Sequence, residues 1–261
     1  MPEQIARISH QFTTATAQCG TLTGVHSVGL LNVASTTPAR PSVVNANHHT
    51  TLNGLATRPD EKSGLAADRF VDLLRHGEVA GGFRLRGVTD DPLSADGHQQ
   101  MRQALGTERP WGRVLSSGLQ RCDAFAHEIA TEADVPLDIE PRFREIDFGD
   151  WEGKEVAAVW EEDHERASAF WNNPFAIAPP GGEDPGAMKQ RVLAAWDALL
   201  SQLGDSDHCL VVTHGGPIRL ILGSLLDMPD AALVRIEVPH ASLTRIRVPA
   251  DGFPPSLIAH R

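Results

Sequence analysis

The sequence predicts an α/β protein, built as a three-layer α/β/α sandwich around a mostly parallel sheet. Two observations support this fold class. Short apolar runs alternate with longer amphipathic segments from Arg69 onward, as in successive strand–helix–strand units. Two of the apolar runs, 71–74 and 209–212, lead into turns that contain His-Gly. Because strands joined by helices run parallel, both turns are expected at the same edge of the sheet.

The strands are predicted from short runs of aliphatic residues that turn residues bound on both sides. They lie at 71–74, 113–117, 137–139, 209–212, 233–238 and 243–248. The last two alternate apolar and polar residues, which is typical of strands with one buried face. We find no internal repeat and no second domain boundary after residue 69.

The helices are predicted from apolar residues at helical spacing and from capping residues. Ser94 is an expected N-cap for a helix that runs to Leu105. The other predicted helices are 119–131, 155–171, 185–203 and one that begins at Pro217. Proline is tolerated in the first helical turn, because its missing N–H would have no partner there. Residues 143–153 are predicted to form an irregular loop.

Composition excludes several classes of partner. The chain has 261 residues, a formal charge of −11 and no tyrosine, which argues against nucleic acid and anionic membranes as partners. No apolar run approaches the length of a membrane span, and the N-terminus lacks a secretory signal pattern. The three cysteines, Cys19, Cys122 and Cys209, form neither a disulfide framework nor a metal-binding pattern. We therefore expect a cytoplasmic protein. The sequence leaves open whether it forms a homodimer.

Residues 1–68 differ in composition from the rest of the chain. They are rich in Thr, Ala, Asn, Ser and His and show little apolar periodicity. We predict a disordered N-terminal extension at 1–68 and one domain at 69–261. Whether the extension is a targeting segment stays open. Its His48-His49 pair is interpreted as solvated and not as a metal site.

The two His-Gly turns are candidate anion-binding sites. Arg75 precedes His76, and an arginine offers a planar set of donors that matches phosphate oxygens. Gly77 lets the backbone approach an anion closely. The second turn repeats the design with His214 and Gly215.

Arg121 is the next candidate, because it falls in the first turn of a predicted helix just beyond a strand. Helix N-termini attract anions, and a guanidinium there would reinforce an anion site. The alternative is a surface arginine that pairs with Asp123 or Glu128.

The segment 143–153 interleaves carboxylates with aromatic residues. Apolar surroundings raise the pKa of a carboxyl group, as a general acid requires. Four side chains compete for this role, and composition does not choose among them: Glu145, Asp147, Asp150 and Glu152.

Together these motifs resemble the histidine phosphatase (phosphoglycerate mutase-like) superfamily. The matching features are Arg75-His76-Gly77, Ser116-Ser117 with Arg121, Glu145 four residues before Gly149, and Thr213-His214-Gly215. The resemblance spans about residues 70 to 248 and implies a phosphoglycerate mutase-like fold. It also implies a small phosphomonoester substrate and catalysis without a metal or cofactor.

The resemblance implies a role for each candidate residue. His76 would be the nucleophile and carry the phosphoryl group on a ring nitrogen. Arg75, Arg121 and His214 would bind the phosphoryl oxygens, with Gly77 and Gly215 beside them. Glu145 would protonate the leaving alkoxide and then activate water.

Within the superfamily the chain is more similar to the α-ribazole phosphatases of cobalamin synthesis. The stretches that carry this similarity are 73–78, 81–94, 148–153, 170–174 and 179–183. They imply hydrolysis of α-ribazole 5′-phosphate or of the corresponding cobalamin phosphate. Three alternatives stay open: a histidine phosphatase of broad specificity, a phosphoglycerate mutase, and a phosphate-binding module without catalysis.

Overall fold

A six-stranded mixed sheet forms the centre of the protein. The computed structural model describes residues 68–204 and 207–261, so the predicted extension lies outside the described residues except for Asp68. The strands are β1 (Arg69–Arg75), β2 (Arg113–Ser116), β3 (Leu137–Ile139), β4 (His208–Thr213), β5 (Leu243–Val248) and β6 (Ser256–His260). Their order across the sheet is β3-β2-β4-β1-β5-β6.

Four neighbouring strands of the sheet are parallel. β1 pairs in parallel with β4, and β2 pairs in parallel with both β3 and β4. β5 and β6 add an antiparallel edge beside β1. The predicted α/β class with a mostly parallel sheet is therefore confirmed.

Helices cover both faces of the sheet. The α-helices of the described residues are α1 (Ala95–Leu105), α2 (Gln120–Ala133), α3 (Val156–Glu162), α4 (His164–Asn172), α5 (Pro185–Gln202) and α6 (Gly215–Leu225), of which α3 and α4 pack with Trp151 in a cluster of their own. On one face α5 and α6 pack on strand residues such as Leu73 and Val211. On the other face α1 and α2 pack on Leu74, Val212 and their neighbours. Successive side chains of a strand point to opposite faces, so a strand buried on both sides separates two cores. The result is the predicted three-layer sandwich.

The register between β1 and β4 places the two His-Gly turns side by side. Arg75 lies opposite Thr213 at the ends of these strands. The next backbone N–H, that of His76, donates a hydrogen bond to the Thr213 carbonyl at 3.0 Å. His214 therefore leaves the sheet beside His76, at the edge where the sequence predicts the site.

Ser94 caps α1 as predicted, with its Oγ accepting from Gly97 N at 2.9 Å. The single helix predicted at 155–171 is wrong in one respect, because it is broken at Asp163. There the Asp163 carboxylate accepts a hydrogen bond from Arg166 N and starts a second helix, α4. An aspartate that bonds a nearby backbone N–H competes with helix continuation.

The strand predicted at 233–238 is also wrong. Residues Asp230–Arg235 form a 3₁₀ helix, which places Leu233 against Gly223 of α6. The Ile236 carbonyl accepts from the Arg219 side chain at 2.9 Å. Apolar alternation does not distinguish a strand from a turn whose buried residues pack on a helix.

A buried carboxylate, Asp72, lies in β1 and is fully excluded from solvent. Burial alone would raise the pKa of Asp72. Hydrogen bonds from Arg245, His208 and Trp111 outweigh burial and lower the pKa from 3.8 to about 2. These bonds connect β1 to β4, to β5 and to the segment before β2. Asp72 is therefore a structural residue of the sheet.

Among the described residues, no helix has both the length and the apolar character needed to cross a membrane.

Candidate active site

His76 lies at the C-terminal end of β1 with 7% of its surface exposed. Its Nδ1 is 2.8 Å from the Gly77 carbonyl oxygen, which can only accept a hydrogen bond. Nδ1 therefore carries the proton, and Nε2 keeps its lone pair. Burial, followed by the nearby His214 and Arg75, lowers the pKa of His76 well below 6.5. The ring is neutral at pH 7 and presents an unprotonated nitrogen.

His214 is fully buried beside His76, with the two ring centroids 5.1 Å apart. Its Nδ1 accepts from Arg121 Nε at 3.3 Å, and its Nε2 is 2.8 Å from Ser117 Oγ. Since the guanidinium can only donate, Nε2 must carry the proton and donate it to Ser117. Burial and the charge of Arg121 lower the pKa of His214 well below 6.5. Its neutral tautomer is thus fixed from both sides.

Arg75 brings a guanidinium with an unused donor to the same place. Its Nη1 donates to the Val238 carbonyl at 2.5 Å. Its Nε is buried and has no hydrogen-bond partner within the described part of the chain. Burial and repulsion from Arg219 lower the pKa of Arg75 to about 10, so it stays protonated at pH 7. A buried donor without a partner is costly, and a bound anion would remove that cost.

Arg121 is fully buried in the first turn of α2. Besides His214, it donates to the carbonyls of Arg86, Gly87 and Thr89 at 3.4, 2.6 and 2.7 Å. A guanidinium has five N–H groups, so four are in use and one remains. Arg121 therefore holds loop 86–89 and His214 in place while adding positive charge. The alternative of a surface arginine is wrong.

The structure separates the four candidate carboxylates. Glu145 Oε2 accepts from Gly216 N at 3.0 Å, at the N-terminus of α6 beside His214. Asp147 accepts from Gly149 N, and Asp150 lies against Gly181. Glu152 faces loop 87–89, as described next. Glu145 is the carboxylate that lies with the imidazoles and guanidiniums.

Glu152 holds the opposite side of the loop that Arg121 binds. Its Oε1 accepts from the N–H groups of Gly87, Val88 and Phe148 at 2.9–3.0 Å. Its Oε2 accepts from both the N–H and the hydroxyl of Thr89. The amides of the loop are thus satisfied by Glu152, and its carbonyls by Arg121.

The two glycines next to the histidines are in close contact with other groups. A Cβ on Gly77 would lie 2.0 Å from the Gly97 carbonyl oxygen of α1. A Cβ on Gly215 would lie 3.1 Å from Arg219 Nη1 and 3.7 Å from Arg75 Nε. Gly77 thus permits close backbone packing, and Gly215 leaves room between two guanidiniums.

Sequence reasoning missed two residues of this cluster, Arg219 and His240. Arg219 is one turn along α6 from Gly215, a spacing that could have signalled it. His240 lies in the loop before β5, and its ring centroid is 5.5 Å from that of His76. No local pattern marks His240, because the loop reaches the site only through the tertiary fold.

Cys122 lies beside His214, with Sγ 3.6 Å from Nε2. Burial raises the pKa of this thiol to about 12, so it is protonated, consistent with its interpretation as a small buried side chain. Within residues 68–204 and 207–261, no three His, Cys, Asp or Glu side chains are grouped as a metal site requires.

Comparison with known proteins adds family relationships to this geometry. The model of the histidine phosphatase superfamily, branch 1, matches residues 71–259. The adenosylcobalamin/alpha-ribazole phosphatase of Escherichia coli strain K12 is 32% identical over 170 residues, which cover 64% of this chain and 83% of the relative. A protein of Enterobacter sp. strain 638 named "Probable phosphoglycerate mutase GpmB" is 31% identical over 172 residues, covering 64% and 80%.

Solved structures agree with this assignment of the fold. The alpha-ribazole phosphatase from Shigella flexneri superposes with a TM-score of 0.63 at 27% identity, over 73% of this chain and 95% of that one.

Proposed function

The chain belongs to the histidine phosphatase superfamily, and from this premise we propose that it is a metal-independent phosphomonoesterase that works through a phosphohistidine. The observation that carries the proposal is the pairing of His76 with Arg75. His76 offers a neutral ring with a free Nε2, and Arg75 offers a buried Nε–H without a partner. A phosphoryl group bound between them would be attacked by Nε2 of His76 while it accepts a hydrogen bond from Nε–H of Arg75.

In the proposed first step, the Nε2 lone pair of His76 attacks phosphorus. The bond between phosphorus and the ester oxygen breaks, and the alkoxide takes a proton from Glu145. In the second step, Glu145 takes a proton from water as the water attacks phosphorus. The P–N bond breaks, and inorganic phosphate leaves. Two easier displacements then replace one difficult hydrolysis.

Positive charge and fixed donors stabilise the phosphoryl group in this proposal. Arg75 uses its free Nε–H, and Arg121 contributes its charge and its one remaining N–H. The neutral ring of His214, held by hydrogen bonds with Ser117 and Arg121, forms a rigid polar side of the site. Phosphoryl transfer depends mainly on such positioning and charge stabilisation, because the protein has little covalent chemistry to perform.

Glu145 is the proposed acid and base because of its position. Its carboxylate lies at the N-terminus of α6, bonded to Gly216 N and close to the charges of Arg75 and Arg121. A carboxyl group beside the bound ester is placed to give a proton to the leaving alkoxide and to take one from the attacking water.

We propose α-ribazole 5′-phosphate, or its cobalamin counterpart, as the substrate. The stretches described under Sequence analysis and the names of the relatives in Escherichia coli and Shigella flexneri support it. The relative named as a phosphoglycerate mutase supports isomerisation of phosphoglycerate as the second candidate.

A panel of phosphoesters in the presence of a chelator tests the proposal. We expect α-ribazole 5′-phosphate to be hydrolysed faster than 3-phosphoglycerate and an aryl phosphate. Good turnover of other esters without α-ribazole 5′-phosphate would reject the substrate. Isomerisation of 3-phosphoglycerate faster than phosphate release would favour the mutase.

The role of His76 as nucleophile is tested separately. The phosphoenzyme is trapped by rapid quenching, and the lability of its phosphate in acid is measured for the parent and for His76→Ala. The parent should form a phosphoenzyme that is labile in acid, and the variant should form none. Unchanged turnover by His76→Ala would show that another residue attacks. Tight phosphate binding without any turnover by the parent would favour a binding module.

A further inference from the structure

The loop 236–242 is hydrogen-bonded to several residues of the site. Arg219 Nε donates to the Ile236 carbonyl at 2.9 Å, and Arg75 Nη1 donates to the Val238 carbonyl. The backbone N–H of Arg75 donates to the Ser242 carbonyl at 3.0 Å. Two guanidiniums of the site therefore hold this loop as well.

One further bond ties the loop to the nucleophile itself. Ala241 N donates to the His76 carbonyl at 3.1 Å. Ala241 makes this contact with a φ of 58°, a left-handed conformation that is unfavourable for a residue other than glycine. The surrounding contacts compensate for that cost. The position of the preceding residue, His240, is consequently well defined.

His240 is a second imidazole that packs against His76, besides His214. The ring centroids of His76 and His240 are 5.5 Å apart, with 42° between the ring planes. His240 is half-buried, whereas His214 is fully buried, so His240 is the partner of the nucleophile that a ligand can reach from solvent. Neither ring nitrogen of His240 has a hydrogen-bond partner anywhere in 68–204 or 207–261.

The surroundings of His240 are positively charged. Burial, followed by the charges of Arg75 and Arg86, lowers the pKa of His240 to about 3. The ring is therefore neutral at pH 7 and carries one N–H donor without a partner. A free donor in the positive field of two guanidiniums is suited to an oxygen anion and unsuited to a cation.

We propose that His240 is a further substrate-binding residue, whose free ring N–H donates a hydrogen bond to a phosphoryl oxygen of the ester bound at His76. The inference rests on the proposed function for its ligand. The proposed hydrogen bond involves no covalent step. In a packing role, by contrast, the His240 ring would only support His76, and any flat side chain would suffice.

Three substitutions separate these roles. His240→Phe keeps a ring but removes both nitrogens. His240→Gln places an amide N–H near the position of Nε2, and His240→Asn places one near the position of Nδ1. His98→Phe is the matched control, since His98 is also half-buried and packs on a phenyl ring, but lies on α1 against Glu128. Thermal unfolding shows which variants are folded.

The measurements are the KM and kcat for phosphoester hydrolysis and the calorimetric Kd for inorganic phosphate. His240→Phe should raise KM and Kd on the order of 10- to 100-fold, because a hydrogen bond to a charged group is lost. One of the two amide variants should restore most of the affinity and identify the donating nitrogen. His98→Phe should match the parent.

Two outcomes would overturn the proposal. The first is a folded His240→Phe with unchanged KM and phosphate affinity. The second is an equal loss of kcat in all three variants with phosphate affinity intact, which would indicate packing against His76. A parent without turnover would reject the proposed function, and the phosphate affinities would then still decide the His240 contact.

Discussion

Replacing Gly216 by alanine should displace Glu145, the proposed general acid, without harming the fold. A Cβ at residue 216 would lie 2.1 Å from Glu145 Oε1 and 2.7 Å from Met188 Cε. The carboxylate must therefore move by about 1 Å, and a misplacement of this size costs about 100-fold in rate. That loss corresponds to about 2.7 kcal/mol and falls at the low end of the contribution expected of a general acid. Alanine is meanwhile favoured over glycine in a helix by up to about 1 kcal/mol.

The assay compares kcat for an alkyl phosphate with the burst of nitrophenolate from p-nitrophenyl phosphate. In the proposed mechanism the departing alkoxide takes its proton from Glu145, whereas nitrophenolate leaves readily without one. We therefore expect Gly216→Ala to slow the alkyl ester about 100-fold and to leave the burst rate nearly unchanged. Gly112→Ala is the matched control, because its Cβ would point into open space. Urea unfolding verifies that both variants are folded.

A double variant decides whether the effect acts through Glu145. In Glu145→Ala the carboxylate is absent and only the flexible end of Met188 must move, so Gly216→Ala should cause little further loss. If Gly216→Ala lowers the rate of Glu145→Ala as much as it lowers that of the parent, its effect does not act through Glu145. A folded Gly216→Ala that hydrolyses the alkyl ester within about twofold of the parent would also refute the reasoning, since the displacement would then have no consequence.

Three other predictions concern stability. Asp72→Asn should lower the free energy of unfolding by about 2–3 kcal/mol in urea titrations, because Arg245, His208 and Trp111 lose the negative charge to which they donate hydrogen bonds. A loss below about 1 kcal/mol would contradict this. Since the folded pKa of Asp72 is about 2, its stabilisation should persist above pH 4 and fade as the pH falls towards 2, and the Asn variant should lack this component. Glu152→Gln should lower the free energy of unfolding by about 2–3 kcal/mol and raise KM, because the new amide N–H group would face the N–H donors of loop 87–89. Unchanged stability and KM would show that Glu152 does not hold this loop in place. Below pH 6.5 the free energy of unfolding should decrease, by as much as about 4 kcal/mol per pH unit. The reason is that His76, His214 and His240 bind protons in the unfolded chain but stay neutral in the folded protein. A flat profile between pH 6.5 and 5 would show that they titrate normally.

Several features of the site could be predicted from the sequence because they are local. Arg75, His76 and Gly77 follow directly from one buried strand, and His214 and Gly215 follow from another. The end of a parallel strand fixes where such residues lie, whatever the rest of the chain does. The α1 cap at Ser94 is equally local, since its hydroxyl bonds a backbone N–H three residues away.

Other features could not be predicted because they depend on distant partners. Glu145 and Glu152 are seven residues apart in one segment that interleaves carboxylates with aromatic residues. Only their partners separate them: Gly216 of α6 for one, and loop 87–89 for the other. The apolar alternation at 233–238 likewise indicates a strand, whereas packing against α6 favours a 3₁₀ helix at Asp230–Arg235.

By itself, the sequence determined the α/β architecture, the superfamily and the two strand ends that carry His76 and His214. Strand periodicity and turn chemistry act over a few residues, so they are legible in the chain. The tertiary structure alone decided which carboxylate joins the imidazoles, how Arg121 uses its donors, and that His240 contacts His76. These outcomes depend on hydrogen bonds and packing between segments that are far apart in sequence, and no local pattern records such contacts.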